Sequence, residues 1–364
     1  MEKNYFALGL MSGTSGDGVD SSIIQSNGKD KCLVKSNNYD PYPPDLSKEI
    51  HSVKEKVQRS SDLIKYFDEI KILEAKITTF HANIAKKCIS SNYIDFIGFH
   101  GQTIFHNSEE RISKQLGLGE QLSNITKKTV IYNFRQNDLK NGGEGAPLTP
   151  IYHKLLVKTF EDSNKLKLPV TILNIGGIAN ITTFDKEHKM TSMDVGPGNC
   201  LIDKWIRLNS HKEFDENGDI AKSGKIDKII LEQALDNFYQ NNISKKKSLD
   251  TNDFDISFVR GLSLENGAAT LTEITAEILS KKILDNDIYV CGGGRKNKFL
   301  INLIQKKIQH KIREIDYLGI DGGFIESQAF GYLAIRSYLG LPISFPETTG
   351  CKESSTGGLI VMNF

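Results

Sequence analysis

The chain has 364 residues, with 46 Lys and Arg against 45 Asp and Glu, a formal net charge of +1, 38% hydrophobic and 25% charged residues. So even a balance gives no strong field of either sign and disfavours nucleic acid or a membrane surface as partner, while the length predicts about two domains. Apolar runs such as 359–362 fall far short of the roughly 20 residues of a membrane-spanning helix, and 5–11 is too short for a signal-peptide core, so a cytoplasmic protein is expected.

In chain order, residues 6–11 and 19–25 read as strands around the tight turn 12–18, a hairpin rather than a strand-to-helix phosphate loop. Residues 36–38 and 241–247, rich in Lys, Asn and Ser, read as solvated loops. From 62 to 88, Leu63, Ile64, Phe67, Ile70, Leu73, Ile77 and Phe80 recur at helical spacing. Short strands follow at 94–98, leading to His100-Gly101-Gln102-Thr103, and at 129–132, leading to Asn133-Phe134-Arg135. A helix begun by Pro147 is expected to 158, then a buried strand at 170–173 entering Asn174-Ile175-Gly176-Gly177, the start of a second hairpin. The strand 190–194 leads through 195–199 to a helix with Leu201, Ile202, Trp205 and Leu208 on its apolar side. Helices at 225–239 and 264–283, a strand at 288–291, the turn Gly292-Gly293-Gly294, and helices at 298–308 and 325–339 complete the reading. Hairpins early in each half with α/β crossovers behind them favour two layered α/β domains.

Three glycine turns carry chemistry. In Met11-Ser12-Gly13-Thr14-Ser15-Gly16-Asp17-Gly18-Val19-Asp20 the glycines free the backbone to aim N–H groups at an anion, and Thr14 and Ser15 add hydroxyl donors. The Gly-Lys-Ser/Thr ending of a P-loop is missing. Asp194, ending a buried strand beside a turn that opens a helix, is placed to orient or deprotonate water. Gly292 to Gly294 would let the backbone lie against a planar ring such as adenine. His100, Gln102, Thr103 and Arg135 suit a polyhydroxylated ligand bearing a carboxylate. The eight histidines show no zinc spacing, and Cys32, Cys88, Cys200, Cys291 and Cys351 are expected to be reduced, mostly buried thiols.

Seven segments, 11–20, 100–103, 134–147, 173–182, 194–199, 292–294 and 321–330, resemble in order and spacing the anhydro-N-acetylmuramic acid kinases, from the first strand to the C-terminal helix. The resemblance implies a two-domain α/β actin-like ATPase fold, ribonuclease H-like in each half, with an interdomain cleft, its domains spanning 1–134 plus 327–364 and 135–326. It implies an enzyme that uses ATP and Mg²⁺ to open 1,6-anhydro-N-acetylmuramic acid with water and to phosphorylate O6 in cell-wall recycling, working as a homodimer. Residue by residue, Gly13, Thr14, Ser15, Gly16, Asp17, Gly18, Val19 and Asp20 match the ATP-phosphate motif, and Gly176, Gly177, Gly292, Gly293 and Gly294 are assigned to the nucleotide. Asp194 matches the catalytic aspartate, and His100, Gln102, Thr103, Arg135 and Glu326 fall in sugar-side motifs. The metal ligands are left open. The chain departs from the family pattern at Gly16, where a bulky apolar residue is usual, at Asn133, where an aspartate is usual, and over 248–254, which lacks a Lys-Ser-Thr-Gly pattern. A conventional sugar kinase and an ATP-driven clamp or filament protein are the alternatives.

Overall fold

A computed structural model describes residues 3–240, 248–283, 287–362 and 364; the expected loop at 241–247 lies outside them. The elements run β1 (Tyr5–Ser12), β2 (Gly18–Ser26), β3 (Cys32–Pro41), α1 (Pro44–Lys56), α2 (Ser60–Lys65), α3 (Phe67–Ser91), β4 (Phe96–Asn107), β5 (Ile112–Leu116), α4 (Gly119–Thr126), β6 (Thr129–Tyr132), α5 (Gln136–Lys140) and α6 (Pro150–Asp162). They continue with β7 (Val170–Ile175), β8 (Ile178–Phe184), β9 (Met190–Pro197), α7 (Cys200–Asn209), α8 (Asp219–Ser223), α9 (Lys228–Gln240), α10 (Leu264–Lys282), β10 (Asp287–Cys291), α11 (Lys298–Lys307), β11 (Ile312–Glu314), α12 (Ile325–Tyr338), α13 (Pro346–Thr349) and β12 (Leu359–Val361). The chain divides into two units, Met1–Ser163 with Phe324–Phe364, and Asn164–Gly323. The first unit thus runs past the boundary at 134 and takes in α5 and α6.

The first unit's sheet has the order β12-β6-β4-β1-β2-β3, with β5 paired to β4. β1, β2 and β3 form an antiparallel meander, and β4 and then β6 join the other side of β1 in parallel. Because side chains alternate along a strand, Leu8 and Leu10 of β1 enter a core with Ile50 and Val53 of α1 and Ile70, Leu73 and Ile77 of α3, while α12 packs along β1, β2 and β4. The second sheet has the order β11-β10-β7-β8-β9, again a three-strand antiparallel meander whose first strand is joined on its other side by parallel strands. The same strand plan is thus used in each unit. Leu173, Ile175, Ile181, Val195, Leu279, Val290 and Leu300 share the second unit's core.

Several local expectations need correction. Residues 36–38 are not loop but part of β3, an edge strand whose outer side tolerates polar residues because nothing there must be buried. The helix expected over 62–88 is two, α2 and α3, divided at Tyr66. α6 begins at Pro150 rather than Pro147. Leu208 is 65% exposed, whereas Leu201, Ile202 and Trp205 are buried. None of the five cysteines is in a disulfide, but only Cys291 and Cys351 are buried; Cys32, Cys88 and Cys200 are half-buried.

The first unit buries neutral imidazoles. Burial lowers the pKa of His81 from 6.5 to about 4 and of His153 to about 3. Between those values and 6.5 the unfolded chain binds protons that the folded chain refuses, so stability is complete above pH 6.5 and is lost as the pH falls. From pH 7 to pH 5 the loss is roughly 2 kcal/mol for each histidine. Urea unfolding followed at pH 7, 6 and 5 is expected to show a falling midpoint; a constant midpoint would contradict the assignment.

Candidate functional site

In the first unit the parallel strands bring the sequence motifs to one edge of the sheet. Ser12, at the end of β1, pairs with Gln102 of β4, and Phe99 pairs with Tyr132 at the end of β6, so the 12–18 turn, His100–Thr103 and Asn133–Arg135 gather at the carboxyl ends of parallel strands, where α/β sheets receive ligands. Gly16 has φ +66°, and a Cβ there would lie 3.1 Å from Ile50 of α1. The bulky residue usual in the family would need another loop shape. Ser15 Oγ donates to Asp17 Oδ1 at 2.6 Å. Val19 is fully buried in the core, and Asp20 pairs with Met11.

Gln102 is fully buried. Its Oε1 accepts from Ser12 Oγ at 2.6 Å, and its Nε2 donates to the Gly13 carbonyl at 2.9 Å. The amide therefore braces the first turn. Thr103 Oγ1 accepts from Gln115 at 3.2 Å.

His100 is buried, its Nδ1 lying 2.8 Å from the Gly101 carbonyl and its Nε2 2.9 Å from Arg135 Nη2. A carbonyl only accepts and a guanidinium only donates, so the proton sits on Nδ1 and the ring is neutral. Burial, and then the charge of Arg135, hold it well below the ordinary histidine range. Arg135 Nη1 donates to the Gly145 carbonyl at 2.8 Å, and Gly145 N–H donates to Asp138 Oδ2 at 2.7 Å. Buried Asp138, whose Oδ1 accepts from Thr349 at 2.6 Å, thus fixes the loop that fixes Arg135. Glu326 lies in the first turn of α12; burial lifts its carboxyl above the ordinary glutamate range, against the pull of Arg135. A cavity of about 620 Å³ lies beside this group, lined among others by Phe99, His100, Lys114, Tyr132, Asn133 and Gln136. Asn133 takes φ +57°, a left-handed conformation that asparagine adopts more readily than most residues.

The second unit gathers its glycine turns likewise. Cys291 of β10 pairs with Asn174 of β7, and Ile178 of β8 with Pro197 of β9. Gly198 N–H and Asn199 N–H donate to the carbonyls of Gly177 and Gly176 at 2.9 and 2.8 Å. Gly292 stands at φ +81°, where a Cβ would lie 2.6 Å from the Ile175 carbonyl, so only glycine fits; a Cβ on Gly293 would meet nothing. Asp194 is 8% exposed on β9. The register shifts beside it, with Asp194 opposite Asn180 and Gly196 opposite Ala179, so Val195 is an extra residue that ends the strand's alternation. Asp194 Oδ2 accepts from Leu249 N–H at 2.8 Å. That places the divergent segment 248–254 on the carboxylate through a backbone contact, which no side-chain pattern signals.

Sequence reading also passed over Arg295. Buried at 5% exposure, it donates from Nε and Nη2 to both oxygens of Asp316 at 2.8 and 3.1 Å, from Nη2 to Asp321 at 2.9 Å, and from Nη1 to the Gly292 carbonyl at 3.1 Å. Burial works to raise the Asp316 carboxyl, and the guanidinium prevails, holding it below the ordinary range. The pair pins the third glycine turn. Among the described residues no group of three or more His, Cys, Asp or Glu side chains is arranged to hold a metal, and no helix is long and apolar enough to cross a membrane.

The sequence model of the anhydro-N-acetylmuramic acid kinase family matches residues 5–363. A relative from Pelagibacter ubique, an anhydro-N-acetylmuramic acid kinase, is 48% identical over 379 residues, covering 100% of both chains. Another so named, from Agrobacterium fabrum, is 35% identical with 98% of each chain covered. Among solved structures, a ROK family glucokinase from Streptomyces griseus in complex with glucose and AMPPNP aligns over 90% of this chain and 99% of its own at 11% identity and a TM-score of 0.38.

Proposed function

The chain belongs to the anhydro-N-acetylmuramic acid kinase family, and on that premise we propose that it converts 1,6-anhydro-N-acetylmuramic acid, ATP and water to N-acetylmuramic acid 6-phosphate and ADP, a step in reusing cell-wall sugar. The observation that supports the chemistry best is Asp194, a buried carboxylate on a strand that ends among gathered glycine turns. It accepts a proton from water as the water oxygen bonds to C1. The C1–O6 bond breaks, O6 attacks the γ-phosphorus, and the bond from that phosphorus to the leaving ADP oxygen breaks.

Phosphoryl transfer depends on placing the acceptor in line and neutralising charge on the transferred group. The 12–18 turn, with its backbone N–H groups and the hydroxyls of Thr14 and Ser15, takes the phosphoryl end of the nucleotide. Gly176, Gly177 and Gly292 to Gly294 take the rest of it. Neutral His100, Arg135, Glu326 and Thr103 face the sugar, Arg135 answering its lactyl carboxylate, while Gln102 holds the turn. Mg²⁺ bound to nucleotide phosphates needs only one or two protein carboxylates; exposed Asp17 and partly exposed Asp20 are oxygen donors of that kind and would hold it, supplying charge neutralisation. The reaction belongs in the cytoplasm, where ATP is available, and the family resemblance implies a homodimer.

Mass spectrometry of the products formed in ¹⁸O-water tests the reading. One labelled oxygen at C1 and one phosphoryl group on the sugar are expected. Phosphorylation of free hexosamines without label would instead make it a conventional sugar kinase, and ATP hydrolysis without any sugar product would point to a clamp.

A further inference from the structure

Helix α1 carries two stripes. Leu46, Ile50, Val53 and Val57 just beyond its end are buried in the first unit's core, which leaves Ser47, His51 and Lys54, at spacings of four and three, on a second face. That face meets the 12–18 turn. Ser47 Oγ donates to the Gly16 carbonyl at 2.9 Å, Lys54 Nζ donates to the Thr14 carbonyl, and His51 Cε1 lies 3.6 Å from where a Cβ on Gly16 would stand. The Gly13 carbonyl is taken by Gln102 Nε2 at 2.9 Å.

In a planar trans peptide the C=O and the N–H point in opposite directions. Drawing the carbonyls of Gly13, Thr14 and Gly16 into the protein therefore turns the N–H groups of Thr14, Ser15 and Asp17 the other way. Successive N–H groups aimed outward make a cradle for an anion. We propose that Lys54, seconded by Ser47, is a positioning residue that holds this turn in its phosphate-receiving shape, acting through the Thr14 carbonyl rather than on the phosphate. The inference rests on reading the turn as the phosphate site. A charged donor makes the stronger of the two tethers, and the turn, having no P-loop lysine of its own, takes its rigidity from a neighbouring helix.

Isothermal titration of the full-length protein with ATP tests this. Wild-type protein that binds no ATP would remove the phosphate-site reading itself. Given binding, Lys54→Met is expected to weaken ATP about tenfold, to lower kcat, to leave KM for the anhydro sugar unchanged, and to keep the melting temperature within a few degrees. Lys54→Arg should restore most of the loss. Ser47→Ala, a milder change available should Lys54→Met fail to fold, is expected to weaken ATP about threefold with the same unchanged sugar KM. ATP affinity equal to wild type in a folded Lys54→Met or Ser47→Ala protein overturns the inference, as does a loss in which ATP affinity, sugar KM and melting temperature all shift together.

Discussion

Asp194→Asn is expected to lower kcat at least about 10²-fold while the protein folds normally. The substitution is chosen for what it keeps. Oδ2 of Asp194 accepts from Leu249 N–H at 2.8 Å, and an asparagine can offer its amide oxygen to the same donor, so the contact between β9 and the 248–254 segment survives. The displaced register at Val195 is a backbone feature and survives too. What is lost is the capacity to take a proton. General-base help is worth roughly 10²–10⁴-fold, and steady-state turnover with ATP and the anhydro sugar measures it directly. Near-normal turnover in a variant with a normal melting curve would reject Asp194 as the base. Affinity for ATP is expected to change little, because the proposed reading assigns the nucleotide to the glycine turns and not to Asp194.

Arg135→Ala is expected to raise KM for the anhydro sugar about tenfold to a hundredfold, with a smaller effect on kcat and none on KM for ATP. Gly145 and His100 fix the guanidinium plane at 2.8 and 2.9 Å, so the fork that would meet a carboxylate is oriented before substrate arrives and loses little freedom on binding. Removing it also leaves His100 Nε2 without that donor and takes away the charge that helps hold the imidazole below its ordinary range. Arg135→Lys is expected not to rescue, because an ammonium cannot reach both Gly145 and His100 in one plane. Kinetics with each substrate varied in turn separate these outcomes, and an unchanged sugar KM removes Arg135 from the site.

The parts of this molecule most legible in its sequence are those where backbone meets backbone. Gly16 and Gly292 are glycines because of positive φ and, at Gly292, a neighbouring carbonyl, so the turns they mark stand out in the bare sequence. Strands such as β7 and β10, buried on both faces, read as apolar runs. α1 was legible in principle, since Leu46, Ile50, Val53 and Val57 keep helical spacing, but its polar stripe serves a turn 31 to 40 residues earlier and makes the helix look solvated. β3 resembles loop for a different reason: an edge strand need not alternate cleanly. The Arg295 and Asp138 clamps act through backbone carbonyls and N–H groups, and such contacts impose no pattern on the side chains they hold. Asp138 even sits in the 134–147 motif without its spacing showing that it reaches Gly145.

The division of the chain into an uninterrupted unit, Asn164–Gly323, and one assembled from both flanks bears on how the protein emerges from a ribosome. Domains fold as they are synthesised, and the uninterrupted unit has all its strands by the time residue 323 has been made. The other must wait with one side of its sheet bare, because α12, which covers β1, β2 and β4, and β12, which borders β6, are translated last. Nascent chains stalled before residue 325 would thus present Ala7, Ile24 and Ile131, all fully buried in the finished protein, to chaperones.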